Sequence, residues 1–231
     1  MAVGLVVAAI SLLLAAVLVW RVVTYYRRAE FIRSYQFPKG LFDKLAARRP
    51  ELARKDIALV ARGLRHFFLA YLRCGRNFVS MPSQVADDLW HEFILYTRNY
   101  EQFCGQAFGG FFHHSPAVVL APEQSGTNAG LRRVGWQCCK AETIDAKTPS
   151  RLPLLFALDG KLAIAGGFLY AANCTALRAG GRGDLFCGGD FSDGSVDGGT
   201  AGFGDGAADG GISGGDGGSS DGGGCGGGGG D

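Results

Sequence analysis

Hydrophobic and polar positions divide the chain into three stretches with different periods. From Ala2 to Trp20 the sequence AVGLVVAAISLLLAAVLVW has nineteen residues and no charge. As a helix this stretch is long enough to cross a hydrocarbon layer of about 30 Å. The middle of the chain alternates at helical spacing. Between Arg54 and Arg73, Ile57, Val60, Leu64, Phe67, Phe68 and Tyr71 recur every three or four residues, which predicts an amphipathic helix. Gly75 marks its stop. A second helix starts at Pro82 and Ser83, with Asp87 and Asp88 near its positive end, and is expected to run to about Cys104. At about 100° per residue, Val85, Leu89, Phe93, Tyr96, Tyr100 and Phe103 share one arc, while Asp87, His91 and Arg98 share the opposite face. A third helix is predicted over Thr127 to Glu142. The run LPLLFALDGKLAIAGGFLY then places Asp159-Gly160 between two apolar segments, a signal for a small β-hairpin.

The pattern predicts a mainly α protein. A transmembrane anchor occupies residues 1–26, a helical domain with a small β-hairpin occupies 36–178, and a Gly/Asp-rich tail occupies 180–231. The tail holds 25 glycines and nine aspartates in 52 residues. It lacks the apolar surface needed to offset the entropy of ordering glycine, so it is expected to be disordered. Its glycine-aspartate runs do not read as calcium-binding repeats, because those need an aliphatic residue in each repeat to build a core, and around the run GGDGGSSDGGG only Ile212 is available.

Charge sharpens the division. The tail carries nine aspartates against Arg182 alone, about −8, so the other residues hold 22 bases and 12 acids, about +10, inside an overall +2. Nothing basic precedes the apolar run, as a cleaved signal peptide would require. Arg21, Arg27, Arg28, Arg33 and Lys39 follow it, and Trp20, Tyr25 and Tyr26 are placed for the interface. The distribution of bases puts the N-terminus outside and the body in the cytoplasm, with the lipid bilayer as the first partner. The basic outer face of the Arg54 to Arg73 helix reads as a solvated surface, and no nucleic acid is expected as a partner, because no recognised binding motif accompanies it. Seven cysteines without a CxxC spacing read as reduced thiols of a cytoplasmic domain.

Candidate chemistry is concentrated in Met81 to Pro116, which contains three of the four histidines. A metal site using His91 would need Asp87 at i−4 or Asp88 at i−3, with His113 or His114 folded back after Gly109-Gly110. Asp88, His91, His113 and His114 are the candidate ligands of such a site, a divalent metal such as zinc is the ion they would suit, and the preferred reading is that no metal is bound. The plainer reading makes His91 a surface histidine paired with Asp87. Cys104 lies on the apolar arc, where a thiol is normally inert. No nucleophile elbow, phosphate-binding loop, HExxH or dinucleotide fingerprint is present.

The segments MPSQVADDLWHEFILYTRNYEQFC, FGGFFHHSP and LRRVGWQCCKAETIDAKTPSRLPLLFALDGKLAIAGGFLYAANC together resemble the glycine-rich domain-containing proteins of bacteria, which are loosely similar to glycine-rich domain proteins of plants. The resemblance covers about Phe37 to Cys174 and implies no established reaction. By motif position it singles out Asp88, Trp90, His91, Tyr100, Cys104, His113 and His114. The functional expectation is a single-pass, non-enzymatic module that binds another protein at the cytoplasmic membrane face. The alternative is a metal-dependent, hydrolase-like enzyme using Asp88, His91 and the His113-His114 pair.

Overall fold

A computed structural model of the chain describes residues 2–114, 129–146, 148–172 and 186–187. The apolar N-terminus continues without a break into one long helix, α1 (Ala2–Ser34). Its first two thirds stand free of the other described residues: large apolar side chains from Val3 to Val23 are 41–78% exposed. Its last third belongs to the domain, where Ala29 and Ile32 are buried and Phe31 and Tyr35 pack against Phe103. The helix therefore does not end with the expected anchor at residue 26. It enters the fold it carries.

After α2 (Leu41–Arg48) comes α3 (Arg54–Arg73), in the register its periodicity predicts. Asp56 accepts a hydrogen bond from the Ala53 N–H at 3.0 Å, satisfying one of the orphan donors at the helix start. α3 is the hub, packed by α1, α2, α4 (Gln84–Leu95), α6 (Ala129–Ala141) and α7 (Leu154–Lys161). Gly63 lets α7 come close: a Cβ there would lie 2.4 Å from Leu158 Cδ1.

Two expected elements take a different form. The single helix from Ser83 to Cys104 is interrupted at Tyr96, where α4 ends, and α5 (Thr97–Phe108) begins. On a straight helix Trp90 and Tyr100 would be about 15 Å apart along the axis. With the bend, the Trp90 indole N–H donates to the Tyr100 hydroxyl at 3.1 Å. Tertiary packing of the aromatic core, with Phe93 and Phe103 5.4 Å apart, overrides local continuity.

The hairpin at Asp159-Gly160 is absent, because these residues lie in α7. Asp159 is 1% exposed. Its carboxylate accepts from the Ser83 hydroxyl (2.8 Å), the Gln84 N–H (2.7 Å), the Val85 N–H (3.2 Å) and the Phe168 N–H (2.9 Å). Ser83 in turn caps α4 by accepting from the Ala86 N–H. The aspartate that locally signals a turn is used as a remote cap for a helix start, where negative charge is favoured. The only strand pairing among the described residues is a parallel contact two residues long, Tyr170–Ala171 (β1) with Phe186–Cys187 (β2). It is too short to form a layer, and the fold is helical. Most of the glycine-rich tail, and with it the expectation of disorder, lies outside the described residues.

Candidate metal centre

Asp87 and His91 occupy successive turns of one face of α4, as helical spacing requires, and the His91 Nδ1 lies 3.3 Å from Asp87 Oδ2. The third member comes from the segment after α5. Gly109 terminates that helix in the left-handed conformation (φ 75°), where glycine avoids the Cβ penalty. The chain then doubles back, and the Tyr100 hydroxyl, which accepts from Trp90, donates to the Phe112 carbonyl at 2.5 Å. The Phe112 ring stacks on Tyr71 at 3.7 Å. Pinned at Phe112 by both backbone and ring, the segment delivers His114 Nε2 to within 2.9 Å of Asp87 Oδ1.

One donor atom from each of Asp87, His91 and His114 then lies within 4.8 Å of the other two. Tetrahedral ligands at about 2.0–2.1 Å from zinc are separated by about 3.3 Å, so modest side-chain movement closes these donors around one ion. Asp87 is buried and the His114 side chain is 12% exposed, but the His91 side chain is 47% exposed, leaving the cluster open on one side. The rings of His91 and His114 are 4.2 Å apart, and Trp90 presses edge-on against His114 at 4.5 Å. The His91 Nδ1 also lies 3.0 Å from the Asp87 carbonyl oxygen. Thus the surface pairing with Asp87 and the metal-ligand geometry share the same atoms.

The structure redistributes the other expected ligands. Asp88, about 100° further round α4, joins α4 to the end of α2, with its Oδ2 2.8 Å from Arg49 and its Oδ1 3.6 Å from Arg48. His113 is exposed beside Phe111, 4.8 Å between rings; adjacent residues of an extended segment face opposite ways, so only His114 turns inward. Trp90 and Tyr100 position His114 and are not ligands themselves. Cys104 is buried, and burial pushes its thiol up while hydrogen bonds at the Phe112 backbone and Tyr100 pull it back, the environment of an inert cysteine. Cys74, Cys104, Cys138 and Cys139 are free. In the sequence, Asp87 at i−4 from His91 is the signal for the acidic ligand, and choosing between Asp87 and Asp88 required knowing that α2 lies on the other side.

Residues 27–191 match the model of the UCP032817-like family, an uncharacterised family. No curated protein and no solved structure matches the chain. The match corrects the expected likeness to glycine-rich domain proteins, since no glycine-rich domain family is indicated. The matched segment begins near the end of the exposed part of α1 and spans all the other helices.

Proposed function

The chain belongs to the UCP032817-like family, and from that premise, which brings no reaction with it, we propose a membrane-anchored protein that binds a divalent transition metal such as zinc through Asp87, His91 and His114. The observation that carries the reading is the convergence of three donor atoms, from two separate segments, within 4.8 Å. Imidazole and carboxylate donors suit zinc and its neighbours. Three protein ligands leave a fourth position open, the arrangement of catalytic rather than closed structural zinc sites. A metal held there by Asp87, His91 and His114 would supply Lewis acidity and lower the pKa of water, the chemistry of hydrolysis.

The anchor is the exposed part of α1, whose length and composition suffice to cross a membrane. The bases that follow it, from Arg21 to Lys39, support an N-terminus outside and a domain at the cytoplasmic face. A non-enzymatic, protein-binding module is the second reading. It is favoured by a groove of about 420 Å³ lined by Phe37, Phe42, Ala46 and Ile57, with Phe42 39% exposed at its edge.

The test is the metal content of the full chain purified in detergent, by inductively coupled plasma mass spectrometry. About one metal per chain is expected, lost in His91→Ala and His114→Ala and retained in His113→Ala. A folded, metal-free protein after incubation with zinc would remove the metal reading and leave the module.

A further inference from the structure

A second site lies along α3, away from the candidate metal centre on α4, and none of Asp87, His91 or His114 lines it. The basic residues that read in sequence as a solvated helix surface form one wall of a cleft of about 760 Å³, closed by α6, α7 and the end of α1. This volume is that of a small-molecule site. Arg33, Arg62, Arg65, Arg73, Arg151 and Lys161 all line it, against a single carboxylate, Glu142. That carboxylate is already engaged by Arg151 at 2.7 Å, by the Leu154 N–H at 2.8 Å and by His66 at 3.3 Å. Arg62 and Lys161 have no ion-pair partner among the described residues. Arg65 holds the Tyr35 carbonyl through one terminal nitrogen at 2.8 Å, while its buried Nε has no hydrogen-bond partner. Between the charges the floor is apolar, made by Leu59, Leu69, Leu154 and Ala157.

Glu142 offsets Arg151 and Glu30 offsets Arg33 at 3.3 Å, which leaves Arg62, Arg65, Arg73 and Lys161 to set a positive potential that the concave surface focuses. Separated guanidinium forks suit the several oxygens of a phosphate chain. The apolar floor accommodates a ring or hydrocarbon part attached to it. The aspartates of the glycine-rich end carry one charge each and stand at least three residues apart, whereas a phosphate chain sets several charges on adjacent groups. We propose that this cleft binds a small organic phosphate bearing two or more phosphate charges and an apolar portion.

Either a free metabolite or the headgroup of an anionic lipid has that chemistry. Arg33 lies thirteen residues past Trp20 on α1, about 20 Å along the axis, whereas the polar layer of a bilayer leaflet is only about 5–8 Å thick. The cleft of an upright helix therefore stands clear of the headgroups, which favours the free source.

The test is isothermal titration of the full chain, held in phosphatidylcholine nanodiscs, with orthophosphate, pyrophosphate and ATP. Saturable binding of about one ATP per chain is expected, tighter than pyrophosphate, with orthophosphate weakest. The double variant Arg62→Gln, Lys161→Gln should bind ATP at least about tenfold more weakly with an unchanged melting curve, because each lost charged hydrogen bond carries roughly that factor. If free phosphates fail but nanodiscs containing phosphatidylinositol phosphate bring a fluorescent headgroup analogue to the same residues, the anion site stands and its source is lipid. Absence of binding in both arms, or ATP binding unaffected by the double variant, would overturn the proposal.

Discussion

Two buried carboxylates at α4 have opposite fates. Asp159 reaches the helix start from α7 and meets four donors, three of them backbone N–H groups, so that its charge is consumed by the fold. Among the described residues the Asp87 carboxylate, one turn into the helix, meets only imidazoles, His91 and His114, one of them half exposed. Both aspartates are nearly inaccessible, at 1% and 7%. Burial therefore does not distinguish a cap from a site. The partners do: backbone donors are fixed and cannot be exchanged for an ion, whereas imidazole nitrogens can release a proton and take up a metal.

The contrast can be broken most forcefully at Asp159. Asp159→Ala leaves the buried Ser83 hydroxyl and Val85 N–H and the part-buried Gln84 and Phe168 N–H groups without their acceptor, and a loss of about 3–5 kcal/mol is expected in denaturant unfolding of the detergent-solubilised chain. A loss below about 1 kcal/mol would mean that the cap is not needed.

A third carboxylate, Glu142, extends the comparison to pH. Burial alone would raise it, but hydrogen bonds from His66, Arg151 and the Leu154 N–H dominate and bring it from 4.5 down to about 2. A depressed folded-state value stabilises the protein above the unfolded value. That contribution declines as pH falls from about 4.5 towards 2. Between about pH 6 and pH 3 the wild type should lose about 2 kcal/mol more than Glu142→Gln. Parallel acid limbs for the two proteins in urea titrations would refute the assignment.

Smaller still is the expected effect of Tyr100→Phe, which removes the hydroxyl linking the Trp90 N–H to the Phe112 carbonyl. The expected cost is about 1–2 kcal/mol of stability, together with about a tenfold or greater weakening of zinc binding, because the segment carrying His114 loses its tether. Weakened stability with full zinc affinity would show that Phe112 stacking on Tyr71 suffices to place His114. At the bottom of the scale, His91→Ala should change the stability of the metal-free protein by less than about 0.5 kcal/mol, since the side chain is half solvated. A large loss in the melting profile would make His91 structural and weaken the case for a ligand.

How far these regions are legible without coordinates differs for a physical reason. The apolar stretch from Ala2 to Trp20, the period of α3, the start of α4 at Ser83 and the shared face of Asp87 and His91 are all local properties, set by hydrophobic spacing and capping chemistry within a few residues. They follow from the chain directly. The continuity of α1 into the domain is different, because only the core against Phe103 makes Ala29 and Ile32 interior. The bend at Tyr96 is likewise set by Trp90 and Tyr100 meeting across ten residues. Asp159-Gly160 has the local chemistry of a turn, yet hydrogen bonds to residues 74–76 positions away hold Asp159 in a helix.

In the candidate centre, the sequence determined that His91 would need an acidic neighbour and a histidine returning after Gly109-Gly110. Only the tertiary structure decided that the acid beside His91 is Asp87, because Arg48 of α2 and Arg49 just after it take Asp88, and that the histidine beside them is His114, because Tyr100 and Tyr71 fix Phe112 and so fix which neighbouring side chain turns inward. Spacing along a helix is written in the chain, but which face meets which partner depends on elements distant in sequence, whose packing no local pattern encodes.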